Sequence, residues 1–115
     1  LGRNISPEWV ERELQMEPAI SVAVVFGEAR PWLSALISPA GTATSTEISA
    51  AVARVNARLP DYAQLRKWAA VTTPFTFANG LLTANGRPRR TRILKLHAGM
   101  LQSLYSKTSD TEATV

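Results

Sequence analysis

Apolar residues recur along this chain with two different periods, and each period points to a kind of element. Between Ile20 and Phe26 the residues Ile20, Val22, Val24 and Phe26 alternate with smaller or polar neighbours. That period of two predicts a strand with these four side chains on one face. A turn-rich stretch, Gly27 to Pro31, follows, and Trp32 to Ser38 reads as a second strand. Two strands joined by so short a connection predict an antiparallel hairpin. Further on the period changes. Ile48, Val52, Val55 and Leu59 are spaced by four, three and four, the spacing of an amphipathic helix that stops at Pro60. Thr44 and Glu47 stand in capping-box spacing at its start.

The same reasoning places the remaining elements. Near the beginning, Ser6 is a candidate cap and Pro7 suits the first helical position. Glu8, Glu11 and Glu13 favour the positive end of such a helix, Val10 and Leu14 share its apolar face, and Glu17-Pro18 ends it. Lys67 to Thr73 predicts a third strand, and Pro74 to Pro88 reads mostly as loop. From Arg89 or Arg90 a last helix is expected to run to about Tyr105, with Ile93, Leu96, Met100, Leu101 and Leu104 on its buried side. Residues 106–115 are polar and predict a disordered tail. The order of elements implies an α+β fold: a small three-stranded sheet of antiparallel type packed with helices.

Composition narrows the function. With 115 residues, 45% hydrophobic and 19% charged, the chain suits one globular domain. It has no cysteine, which excludes disulfides, cysteine metal sites and thiol nucleophiles and suits a reducing compartment. No apolar run is long enough to span a bilayer and no signal peptide is apparent, so a cytoplasmic location is expected, free or peripheral to a membrane. The opening Leu1-Gly2-Arg3 reads as a cut inside a longer protein. Of the net charge of +4, Arg87, Arg89, Arg90, Arg92 and Lys95 supply +5, leaving about −1 for the rest. So local a field, with no aromatic residue among the cations, argues against nucleic acid as a partner.

Few residues are candidates for chemistry. His97 is the only histidine, and without clustered carboxylates it reads as a helix-surface or core-edge residue. No serine sits in a nucleophile elbow, and no phosphate-loop or dinucleotide fingerprint is present. Trp9, Trp32 and Trp68 are spread over separate elements and read as core. What remains is the segment Gly80 to Arg90. Gly80 and Gly86 permit positive φ, Asn85-Gly86 is a tight-turn dipeptide, and Pro88 stiffens the chain after Arg87. Such a turn can carry one guanidinium to a phosphate or carboxylate, which an arginine meets with two parallel hydrogen bonds. The plain alternative is a solvated turn before a helix with a charged outer face.

Three stretches together carry a resemblance. Gly2–Glu11, Arg54–Trp68 and Phe75–Ile93 resemble, in order and spacing, the C-terminal domain of adenylate-forming enzymes, above all long-chain fatty-acid CoA ligases. The resemblance covers roughly residues 2–105. It implies a mobile lid that swivels against a large N-terminal AMP-binding domain absent here. One orientation serves acyl-adenylate formation from a carboxylate, ATP and Mg2+, and the other serves transfer of the acyl group to CoA. Alone, residues 1–105 would be an inactive part of an ATP-dependent acid–CoA ligase. In the family's last motif, Leu-Thr-x-x-x-Lys, the lysine contacts the carboxylate and an ATP phosphate; here Leu82-Thr83 is followed by Arg87 at the lysine position, beside Gly86. Arginine keeps the charge but is longer and planar. The site tolerates it with altered geometry, or adenylation is weakened, or another acid is served. The first motif, Gly2, Arg3, Asn4 and Ile5, resembles the loop that lines the CoA tunnel. For Arg89 and Arg90 the resemblance leaves open CoA phosphates or ion pairs with the large domain. A rival reading, outside enzymes, is a small module that binds anionic partners such as RNA or membrane phospholipid through the arginine cluster.

Overall fold

The computed structural model describes residues 6–106, so the candidate residues Gly2, Arg3, Asn4 and Ile5, and the tail from residue 107, lie outside the described residues. Helix α1 (Pro7–Gln15) leads into strands β1 (Ile20–Phe26) and β2 (Leu33–Pro39). Helix α2 (Ser45–Arg58), one turn of 3-10 helix (Asp61–Ala63) and strand β3 (Leu65–Ala70) follow, and α3 (Arg90–Leu96) and α4 (Ala98–Ser103) close the chain. The capping box forms as expected: the Glu47 amide donates to Thr44 Oγ1 at 3.2 Å, and the Thr44 amide to Glu47 Oε1 at 2.8 Å.

The sheet has the order β1-β2-β3. Its first pair is the expected antiparallel hairpin, but β3 runs parallel to β2, so the sheet is mixed rather than antiparallel throughout. The reason is α2. A 14-residue helix between two neighbouring strands carries the chain back along the sheet, and the second strand then starts from the same end as the first.

Both faces of the sheet are buried. Against one lie α1 and α2, with Val10, Leu14, Ile48, Val52 and Val55 packed on Ala23, Val25, Ala35 and Ile37. The other face carries Val22, Val24 and Leu36 under Phe75, Leu81, Ile93, Leu101 and Leu104. Ile20 departs from the expected alternation. A register irregularity between Ile20 and Val22 turns Ile20 to the α1–α2 side, while Val22, Val24 and Phe26 keep the opposite face.

The last helix also departs from expectation. It breaks at His97, and Leu96 ends 65% exposed instead of buried. His97 sits at the core edge, its ring meeting Phe75 edge-on at 5.8 Å and its Nδ1 lying 3.3 Å from the Ile93 carbonyl. Ala98-Gly99 begins the next helix with a poor helix former, which lowers the cost of the break. After α4, Tyr105 is clamped to the β1–β2 hairpin. Its hydroxyl accepts from Ser34 Oγ at 2.8 Å and donates toward the Phe26 and Trp32 carbonyls at 2.9 and 3.0 Å. Its ring stacks on Trp32 at 5.6 Å, and the Trp32 indole N–H donates to the Leu104 carbonyl. Trp9 and Trp68 pack at the margin of the first core.

Helices α1 and α2 are joined by a charged cross-link. Arg54 donates twice to Glu17 Oε1, at 3.0 and 2.8 Å, and Arg58 reaches Glu17 and Glu13. The hydrogen bond from Arg54 is the main reason the Glu17 carboxyl titrates below its usual 4.5. A carboxyl depressed on folding adds stability above its unfolded value and loses it as pH falls through the folded one. The stability gap between the native chain and Glu17→Gln is therefore expected to be full above about pH 4.5 and to shrink below it. Melting temperatures of both proteins across pH 3–7 would test this, and a gap independent of pH would refute it.

Candidate functional site

The segment between β3 and α3 is neither a named strand nor a helix, yet it is tightly braced. Val71 continues the β3 pairing by donating to the Ile37 carbonyl at 2.9 Å, and buried Phe75 anchors the next stretch, its amide on Ser38 Oγ. Thr76 and Asn79 then bond reciprocally: the Thr76 amide to Asn79 Oδ1 at 3.1 Å, the Asn79 amide to Thr76 Oγ1 at 3.0 Å. The Asn79 side-chain amide also donates to the Pro74 carbonyl at 2.8 Å. Amides of Leu81 and Leu82 both reach the Thr76 carbonyl. These short polar side chains close the loop from within.

A miniature hairpin follows. Leu82 pairs with Pro88 in a two-residue antiparallel bridge, and the Arg89 amide donates to the Leu81 carbonyl at 2.8 Å. At the tip, the Gly86 amide bonds the Thr83 carbonyl at 2.9 Å and the Thr83 amide bonds the Arg87 carbonyl at 2.8 Å. Thr83 Oγ1 takes the Arg87 amide at 3.1 Å, so all three polar groups of Thr83 hold the turn. Gly86, the fourth residue of this turn, has φ +84°, the left-handed closing position common in such hairpins. A Cβ there would meet nothing within 4 Å, so backbone conformation, not crowding, requires the glycine. Gly80 has φ +81°, and its carbonyl accepts from Arg92 Nη1 at 3.1 Å.

The five cations that cluster in sequence differ in their partners. Arg90, the first residue of α3, is half-buried and pairs with Glu11, with Glu8 at 3.9 Å and with the Val25 carbonyl at 3.1 Å. Arg92 is tied to Gly80. Arg87, Arg89 and Lys95 are exposed, and their side chains make no hydrogen bond or ion pair among the described residues. The fold thus sets Arg87 at the end of a braced turn with its guanidinium free. Three residues of this architecture escape a sequence reading. Thr83 and Asn79 carry a signal, since short polar side chains near a turn dipeptide often bond their own backbone. Glu11 carries none, because its partners are 14 and 79 positions away.

Glu11 is a buried carboxylate, 6% exposed. It accepts the Val25 amide at 2.8 Å and faces the Arg90 guanidinium. Burial pushes its carboxyl above the usual range, against the opposing pull of the amide and of Arg90. Among the described residues no three of histidine, aspartate and glutamate gather as a metal site, and no helix is long and apolar enough to cross a membrane.

Comparison with known proteins agrees with this architecture. Residues 1–109 match the family model described as the AMP-binding enzyme C-terminal domain. The chain is 28% identical to the long-chain-fatty-acid–CoA ligase FadD15 of Mycobacterium tuberculosis, over 92% of this chain and 22% of the ligase. It is 29% identical to a carboxylic acid reductase of the same organism, over 97% of this chain and 10% of the reductase. In fold it is similar to the A-PCP didomain of the carboxylic acid reductase from Segniliparus rugosus, solved in complex with AMP. That match has a TM-score of 0.76 at 22% identity, over 95% of this chain and 17% of the other. The chain thus spans about a fifth or less of these relatives. With a family match over almost its whole length, the chain belongs to the C-terminal domains of AMP-binding enzymes.

Proposed function

We propose that this domain is the moving C-terminal part of an ATP-dependent acid–CoA ligase, and that it carries Arg87 to the reacting carboxylate and phosphate. The observation that supports this reading is the braced turn itself, which holds an exposed arginine whose side chain has no partner among the described residues. A guanidinium is a planar fork suited to a carboxylate or phosphate. ATP, when bound by the rest of the enzyme, supplies the phosphorus that the carboxylate attacks and, with its Mg2+, the largest local charges. This domain's share is narrower. Arg87 offsets negative charge as it develops on oxygen, where a fixed cation counts for more once water is excluded. Closure of the domain supplies that exclusion. The Gly2–Ile5 segment is assigned to the CoA passage, and Arg89, exposed beside Arg87, to a CoA phosphate or an ion pair with the large domain. Arg90, paired internally, serves the domain's own architecture.

The rival module for anionic partners is the weaker reading. It rests on five clustered cations, of which Arg90 and Arg92 are engaged within the domain. The test uses the full-length enzyme. Labelled pyrophosphate should exchange into ATP only when a carboxylic acid is present, and thioester should form when CoA is added. Absence of exchange across a panel of aliphatic and aromatic acids would refute the assignment.

A further inference from the structure

We propose that the Glu11–Arg90 pair is the positioning element of the Arg87 loop, holding its root against the edge of the sheet. The proposal rests on the reading of Arg87 given above. β1 is an outer strand, and its outward-facing groups are met by side chains instead of another strand. The Ala23 amide donates to Gln15 Oε1 at 2.9 Å, the Val25 amide to Glu11 Oε2 at 2.8 Å, and the Val25 carbonyl accepts from Arg90 Nη1 at 3.1 Å. Arg90 Nη2 also donates to Glu11 Oε2. Glu11, Arg90 and the Val25 peptide groups therefore form one closed set of hydrogen bonds, one member from each of α1, α3 and β1.

The position of this set gives it a role. Arg90 follows Arg89, whose amide is bonded to Leu81 and closes the stem of the miniature hairpin. Only Pro88 and Arg89 separate the free guanidinium of Arg87 from the anchored one of Arg90. At the other end of the loop, Arg92 holds Gly80. The turn at Thr83–Gly86 fixes the local shape of the tip, but it says nothing of where the hairpin stands relative to the sheet. Buried Leu81 and Ile93 pack the stem and α3 on the face of the sheet, and Arg90 sets their place along the β1 edge. Glu11 lies on the helix that begins directly after the first motif, and Arg90 opens the helix that begins directly after the last. One partly buried ion pair thus ties together the two helices that border the motif segments. Displacing a reacting group by about 1 Å can cost on the order of a hundredfold in rate, so a loose root would be felt at Arg87 without any change at Arg87 itself.

The experiment uses the full-length enzyme and two readouts: carboxylate-dependent pyrophosphate exchange, and thioester formation from a supplied acyl-adenylate. Arg90→Met keeps an apolar stem and removes the donors. It is expected to lower kcat for exchange by about ten- to a hundredfold, with KM for ATP and the second reaction within about twofold. Glu11→Gln, which keeps an acceptor for the Val25 amide, should show the same pattern in milder form, and Arg90→Lys should recover part of the rate. The decisive measurement is the double substitution. In an Arg87→Ala background, Arg90→Met should cost nothing further, because a positioning residue acts only through the group it positions. An equal loss in both backgrounds would overturn the proposal, and so would parallel loss of both reactions in step with the loss of folded protein. If Arg87→Ala alone leaves exchange intact, the reading of Arg87 fails and this proposal falls with it. Additive losses on top of a damaging Arg87→Ala sink this proposal alone.

Discussion

Replacing Arg87 by alanine is expected to slow acyl-adenylate formation by about a hundred- to a thousandfold. Conversion of a supplied acyl-adenylate to thioester should stay near its original rate. The expected effect is electrostatic and directional. The side chain has no partner among the described residues, so its removal leaves the turn held by Thr83. In the proposed role, what is lost is a cation aimed at charge that develops only as the carboxylate attacks, an effect worth ~3–4 kcal/mol in comparable sites. Arg87→Lys should keep or raise the first rate, because the related motif presents a compact ammonium at this place. Pyrophosphate exchange measures the first step, and thioester formation from synthetic acyl-adenylate the second. Unchanged exchange in Arg87→Ala would reduce the hairpin to a solvated turn.

The second large effect concerns stability. Ile93→Ala should cost about 2–5 kcal/mol of folding free energy, against about 0.5–1.5 for Ile93→Val. Helix α3 has seven residues and only Ile93 is buried, at 0% exposure, between Leu81, Leu101 and the sheet. A helix this short has almost no stability of its own. Its docking therefore hangs on that one side chain and on Arg90 at its first turn. Domains of this size are stable by about 5–15 kcal/mol in total, so the alanine variant would lose a large share. Urea denaturation with an unchanged slope measures it, and Leu94→Ala, at a position 40% exposed, serves as the control. A cost for Ile93→Ala no greater than that of the control would show that α3 is held elsewhere.

What could be read without coordinates was local. The capping box needs only Thr44 and Glu47, three residues apart, and the hairpin needs only two runs and a short turn. The tip of the Arg87 loop was legible for the same reason, since Asn85-Gly86 marks a turn by itself. Its type was not: Gly86 closes the turn in the left-handed region instead of sharing its centre, and that follows from the Leu82–Pro88 bridge outside the dipeptide. The direction of β3 depended on giving α2 its weight as a crossover. The exposure of Leu96 could not be read, because the ideal helical period assumes an unbroken helix and the break depends on where Phe75 receives His97. Nor could the fate of Arg90. In sequence it is one of five neighbouring cations, and only the fold brings Glu11 to it across 79 positions.

The clamp on Tyr105 bears on the order in which the chain can fold. The hairpin of β1 and β2 forms from neighbours, and such contacts close in microseconds. Its final partners are far away: the Tyr105 hydroxyl bonds span 71 to 79 positions, and the Trp32 bond to Leu104 spans 72. Bringing ends that distant together costs about 4 kcal/mol of chain entropy by the logarithmic rule. A chain growing on the ribosome from its N-terminus can complete the α1–α2 side of the sheet first, since the residues of that core, with Trp68 and Ala70 at its margin, all precede Val71. Phe75, Leu81 and Ile93 reach the opposite side next, and its cover is complete only once α4 and Tyr105 have emerged. For that interval the apolar surface of Val22, Val24 and Leu36 has an incomplete lid, and the last described helical turn finishes shielding the nascent chain from its neighbours.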